Sequence, residues 1–214
     1  MPKKAPKKSK ASGPSDPIDA ALALAAEIGW RKVTLGAVAE RSGVALGALL
    51  ERYPSKTALL IGFQRRLDQA VLAGIDPALG DRPAQERLFD VVMRRLDALT
   101  PHKAAISSIV RSGAYDLDAL VCGGMSGRRS LSLMLEAAGL SSSGPKGALR
   151  REGLALIYLD TIRVWLRDDS ADMAATMKTL DTHLRRIARL IDRVKLWRGR
   201  AGAWGSKSEG SAPS

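Results

Sequence analysis

The sequence predicts an all-α protein, and three observations carry that prediction. From Asp16 to about Trp197 the apolar residues recur at helical rather than alternating spacing. The mark of a strand, β-branched residues in period two, is missing from the same stretch. The breaks fall at residues that start or stop helices: Asp16-Pro17, Gly29, Thr34, Ser42-Gly43, Pro54-Ser55 and the run Gly139 to Pro145.

The first helix starts at Asp16-Pro17, where an acidic cap precedes a proline whose missing N–H is harmless in the first turn. Ile18, Leu22 and Ala25 line one face, and Gly29 is the stop. Thr34 caps a short second helix with Leu35, Val38 and Ala39 inward, and Ser42-Gly43 ends it with the residue suited to a left-handed turn. A third helix runs from about Ala45 to Tyr53 and is stopped by Pro54. Ser55 then caps a fourth helix through Ala73, with Gly74 and Pro77 closing the module. Two short helices joined by a tight glycine turn and braced by a longer one in front make a helix-turn-helix.

Further helices are expected over Pro83–Leu99, His102–Ala114, Leu117–Ala138 and Lys146–Arg167, and from about Ala171 to Trp197. The last places Met173, Met177, Leu180, Leu184, Ile187, Ile191 and Val194 at steps of four and three, a seam for packing against other helices. The helix before it is apolar on most sides. Leu154, Ile157, Tyr158, Ile162, Trp165 and Leu166 cannot all face one neighbour, so the pair is expected to bury surface in its own core and between two copies. Ile162, Trp165, Leu180, Leu184, Ile187 and Ile191 are the candidate dimer contacts. Tyr115, Met125, Met134, Tyr158 and Trp165 are candidates for lining an apolar pocket, with plain core as the competing reading.

The resulting organisation is a basic arm over residues 1–15, a helix-turn-helix domain over 16–73, a helical domain over 74–198 and a Gly/Ser-containing tail over 199–214. The arm carries Lys3, Lys4, Lys7, Lys8 and Lys10 with no large apolar residue after Met1, so little offsets the entropy of ordering it. The formal net charge of +12 implies attraction to polyanions, either nucleic acid or an anionic membrane surface. A share of 45% hydrophobic and 26% charged residues excludes a disordered or membrane-spanning class, and a cytoplasmic location is expected. Cys122 stands alone, so neither an internal disulfide nor a structural zinc site is available.

From Ile18 to Phe63 the order of residues resembles the DNA-binding module of TetR-type regulators: an alanine-rich first helix, Gly29-Trp30, Thr34-Leu35, Val38-Ala39, Ser42-Gly43-Val44, Gly47, Tyr53 and Ser55-Lys56. The resemblance implies a third helix in the DNA major groove, phosphate contacts from Thr34 and Lys56, and a divergent C-terminal domain that dimerises and binds a small apolar ligand. The third helix departs from that pattern. Ala45 lacks a capping side chain, Leu46, Ala48 and Leu50 offer mostly methyl groups, and Glu51 would repel phosphates, leaving Arg52 as its main cation. Leu46, Ala48 and Arg52 are the candidate groove contacts, with Lys3, Lys4, Lys7 and Lys8 of the arm lying along the backbone or in a minor groove.

The stretch from Ile157 to Leu166, with Asp168-Asp169-Ser170, Leu180-Asp181 and Leu184-Arg185-Arg186, resembles the closing segment of the TetR-like lipid-binding accessory protein of ubiquinone biosynthesis. That resemblance implies the same fold without DNA reading, an apolar cavity for an isoprenoid, and a C-terminal helix that meets the membrane. Arg185, Arg186, Arg189, Arg193, Lys195, Arg198 and Arg200 beside Trp197 and Trp204 suit an anionic lipid surface, and equally a solvated basic face.

Catalysis is not expected. His102 and His183 are the only histidines, neither in a zinc-ligand spacing, and no nucleophile motif accompanies them. Gly123 to Arg129 is glycine-rich but lacks the preceding strand and following Lys-Ser/Thr of a phosphate loop, so a kinked or frayed helix is expected there. Asp168-Asp169 are read as capping charge ahead of the last helix. No cofactor or metal is called for.

Overall fold

The computed structural model describes the backbone of residues 15–75, 80–113 and 117–205; within these, the side chains of 117–126 and 190–205 lie outside the description. Among the described residues there is no strand. The helices are α1 (Pro17–Ile28), α2 (Leu35–Ser42), α3 (Leu46–Arg52), α4 (Lys56–Ala73), α5 (Ala84–Leu99), α6 (Lys103–Gly113), α7 (Leu117–Ala137), α8 (Gly144–Trp165) and α9 (Ala174–Gly205), with short 3₁₀ turns at Trp30–Lys32 and Thr100–His102. The described residues gather into two compact units, one within 1–70 and 98–130, the other within 71–97 and 131–214.

In the first unit α1 packs on α2 and α6, and α2 on α3. Asp16 caps α1 by accepting the Ile18 N–H at 2.7 Å, and Gly29 ends it at φ 86°. The alanines of α1 let its neighbours come close: Ala20, Ala21 and Ala25 are buried, with Ile18, Leu22 and Leu24 beside them. Gly62 of α4 serves the same purpose, since a Cβ there would stand 3.0 Å from both the Ile18 side chain and the Tyr53 ring. Trp30, Val33, Val38, Leu49, Leu59, Phe63 and Leu67 complete this core.

The second unit buries Val91, Val92, Leu96, Met134, Leu135, Leu154, Ile157, Trp165, Leu180 and Leu184, and in it α8 packs along α9. Arg87 joins the start of α5 to the end of α7, donating to the carbonyls of Ala138 (2.8 Å), Gly80 (2.9 Å) and Arg82 (2.6 Å). The glycine-rich run Gly123–Arg129 lies inside α7, which the structure carries through as one helix. Gly139 ends the descent at φ 69°, and the Leu140 N–H closes back on the Leu135 carbonyl at 2.8 Å. Gly147 packs on the backbone of Ser142, where a Cβ would lie 2.1 Å from the carbonyl carbon, so no other residue fits without moving the loop.

The last helix begins at Ala174, later than the expected start near Ala171. Asp168 explains the delay. Its carboxylate accepts the Thr176 N–H at 2.9 Å and the Thr176 hydroxyl at 2.7 Å, and also the Ser170 N–H and hydroxyl. A helix whose third residue is held by a side chain eight positions back cannot start sooner. The intervening chain turns through Met173 at φ 52°, a left-handed conformation rare for a side chain of that size.

Candidate nucleic-acid interface

The turn of the helix-turn-helix is built by local rules. Thr34, in an extended conformation, accepts the Ala37 N–H through Oγ1 at 3.1 Å and so opens α2. Gly43 closes that helix at φ 70°, ψ 17°, and the Val44 N–H returns to the Ala39 carbonyl at 3.2 Å. Ala45 then precedes α3 with no side-chain cap. Leu49 is the buried residue of α3, 1% exposed, and pins the helix to the core. Leu46, Gly47, Ala48, Leu50, Glu51 and Arg52 are all exposed. Ser55 accepts the Ala58 N–H at 3.1 Å and opens α4.

The cations around this turn have different states. Arg52 is exposed, with its guanidinium 5.3 Å from the Tyr53 ring centre. Lys56 is half-buried. Its ammonium donates to the Trp30 carbonyl at 3.2 Å and sits 5.2 Å from the centre of the Trp30 indole. Arg41 is engaged bidentately by Glu27, whose carboxyl is held below its usual range first by that hydrogen bond and then by the Arg41 charge. Arg66 is joined to Asp19 at 2.5 Å. Lys3, Lys4, Lys7 and Lys8 lie outside the described residues.

One tie could not be foreseen from the sequence. The Trp30 N–H donates to the Ser108 hydroxyl of α6 at 2.8 Å, across 78 positions of sequence. Around it an open cavity of about 300 Å³ is lined by Ile28, Trp30, Arg31, Lys32, Ser108 and Arg111, among others. No local motif marks a serine in the middle of an apolar helix as the acceptor for a distant backbone group.

In the second unit the candidate pocket residues divide. Tyr115 and the side chain of Met125 lie outside the described residues. Met134 and Trp165 are buried at 0% and 1% exposure, and the Tyr158 hydroxyl accepts from Nε of Arg95 at 3.1 Å. Arg95 is itself buried, an arginine that periodicity could not separate from the solvated ones beside it. The open groove of this unit, about 640 Å³, is lined by a different set that includes Arg82, Glu86, Phe89, Asp90, Met177 and Asp181. Of the candidate dimer contacts, Trp165, Leu180 and Leu184 are buried within their own unit, Ile162 and Ile187 are half-buried, and the Ile191 side chain is outside the description. The large apolar residues that α8 leaves exposed are Leu149, Leu156 and Leu159.

Among the described residues no group of three His, Cys, Asp or Glu side chains is placed to hold a metal ion, and no helix is long and apolar enough to cross a membrane.

Fold and turn together define an all-α protein with the TetR-type architecture, an N-terminal helix-turn-helix module followed by a larger helical region. Residues 18–62 match the family described as bacterial regulatory proteins, tetR family, and residues 129–191 match the COQ9 family. The chain is 43% identical over 68 residues to the HTH-type transcriptional repressor KstR of Mycolicibacterium smegmatis (strain ATCC 700084 / mc(2)155), a match that takes in 28% of this chain and 33% of that relative. Among solved structures it is similar to a TetR transcriptional regulator from Nitrosomonas europaea ATCC 19718, at 26% identity and a TM-score of 0.67 over 80% of this chain and 95% of that one. A TetR transcriptional regulator from Rhodococcus sp. RHA1 shares the fold at 23% identity and a TM-score of 0.56, over 78% of this chain and 93% of the other.

Proposed function

We propose that this chain is a DNA-binding transcriptional regulator of the tetR type, acting in the cytoplasm as a homodimer under the control of an apolar small-molecule ligand. The observation that carries the proposal is the turn from Thr34 to Arg52: two short helices set by a left-handed Gly43, with Leu49 holding α3 to the core while the rest of α3 faces solvent. That is the arrangement by which a helix is offered to a major groove. Thr34 and Lys56 meet phosphates, Leu46, Ala48 and Arg52 meet the groove, and Lys3, Lys4, Lys7 and Lys8 lie along the backbone.

Dimerisation is supported by Leu149, Leu156 and Leu159, 75%, 71% and 51% exposed, whose spacing of seven and three puts them on one face of α8. Ligand in the C-terminal region shifts the dimer toward a spacing that no longer spans two half-sites. Tyr115, Met125, Met134, Tyr158 and Trp165 are the residues we assign to the ligand's surroundings. Gel retardation on upstream DNA across a salt series tests the proposal. Preference over random duplex, with a steep salt slope that Arg52→Ala lessens, is the expected result; equal, weak binding to every duplex overturns sequence-specific regulation.

A second reading is favoured by the COQ9 match at 129–191: a lipid-binding accessory protein of the same fold that does not read DNA. Arg185, Arg186 and Arg189, exposed on α9, then face an anionic membrane surface. An isoprenoid seen by native mass spectrometry, together with liposome binding lost on removal of residues after Ile191, is the result that reading requires.

A further inference from the structure

The face that α3 turns outward is unusual in its chemistry. Leu46 and Leu50 are 46% and 40% exposed, and their spacing of four sets them one above the other on the same side of the helix. Gly47 and Ala48, between them, are exposed as well. From Leu46 to Leu50 the helix therefore presents no side-chain donor or acceptor, only methyl and methylene groups. Leu49 accounts for the hold on the core at 1% exposure, so Leu46 and Leu50 are not needed there. Two uncovered leucines are unfavourable in water unless something covers them.

The surroundings point to a polyanion as the occupant. Arg52 follows the face directly, Lys56 opens the next helix, Arg31 and Lys32 stand exposed ahead of α2, and the chain as a whole carries a net charge of +12. In the major groove, one natural base offers an apolar group to such a helix: thymine, through its 5-methyl, alongside its O4 acceptor.

We propose that Leu46 and Leu50 are the specificity-determining residues of α3 and that they read the 5-methyl groups of pyrimidines, so that the half-site carries thymines opposite this face. The inference rests on the DNA-binding reading above. Contacts of this kind discriminate by what they cover: a thymine methyl is removed from water against leucine, whereas a cytosine or purine edge brought there loses its water without gaining a hydrogen bond.

The test is a selection from randomised duplexes with the full chain, followed by replacement of each selected thymine by uracil, which deletes the methyl and leaves pairing unchanged. Loss of about fourfold in affinity for each contacted methyl is expected, equivalent to ~0.8 kcal/mol. Leu46→Ala and Leu50→Ala should each flatten the thymine-to-uracil difference at its own position; circular dichroism checks that these exposed substitutions leave the helices formed. Selected duplexes that bind equally well with thymine and uracil overturn the inference while leaving DNA reading in place. Failure to select any sequence above random overturns both.

Discussion

The backbone N–H of Trp30 and the hydroxyl of Ser108 meet at 2.8 Å, tying the turn that precedes the helix-turn-helix to α6. Trp30 is 2% exposed while Ser108 is half-buried beside the open cavity, so the bond is shielded from water on the Trp30 side only. Ser108→Ala is expected to lower stability by about 1–2 kcal/mol, because it strands a backbone donor rather than removing a matched pair. Urea unfolding measures the loss, and hydrogen exchange at the Trp30 amide locates it: protection there should fall further than at Val38, which keeps its bond to Thr34.

Ala45 offers the opposite kind of test. It stands in the capping position of α3 with φ −58° and ψ 137°, an extended conformation compatible with a capping side chain it does not have. Ala45→Ser should therefore stabilise the chain by about 0.5–1 kcal/mol, read from the midpoint of thermal or urea unfolding. Thr34→Ala, which removes a cap that is made, should cost about 1 kcal/mol in the same assay.

Gly43 is required by its backbone. At φ 70° a Cβ is disfavoured, and Gly43→Ala is expected to destabilise by about 1–2 kcal/mol. Gly47, also in this module, is exposed, and a Cβ added to it would meet nothing within 4 Å, so Gly47→Ala should instead gain up to about 1 kcal/mol of helix stability. Opposite signs from these two glycines of one module separate turn geometry from helix propensity.

Asp168 gives a pH dependence. Hydrogen bonds from Ser170, then from Thr176, hold its carboxyl well below the ordinary carboxylate range. A folded-state pKa lower than the unfolded one adds stability that is complete above the unfolded value, about 4, and fades as the pH falls below it. Asp168→Asn should lower the urea midpoint at pH 7, and the gap from the natural chain should narrow as the pH is taken below about 4. A gap that stays constant across that range would show that the carboxylate charge is not what holds the start of α9.

The parts of this fold that were legible in the sequence are those governed by neighbours in the chain. Asp16, Thr34 and Ser55 cap helices where expected, Gly43 makes the left-handed turn, and Asp168 caps α9. Asp16, Thr34 and Ser55 do so by a side chain that reaches the backbone two or three residues on, Gly43 by having no Cβ, and Asp168 by a reach of eight positions. What periodicity reports is that a face is buried, not what buries it. Leu180 and Leu184 show the difference: their spacing on the last helix marks a seam, and both are buried inside the chain's own unit, as is the candidate dimer contact Trp165, while Leu149, Leu156 and Leu159 remain outside. Ser108 and Arg95 were illegible for a related reason, since their partners, Trp30 and Tyr158, lie 78 and 63 positions away.

The seat of Lys56 on Trp30 makes the chain its own optical instrument. A charge 5.2 Å from an indole sets the field across that ring, and with it the colour of the ring's fluorescence. Any anion that draws the ammonium aside changes that field at once. With Trp165, Trp197 and Trp204 replaced by phenylalanine, the emission of Trp30 alone would follow engagement of the turn in real time, without a label.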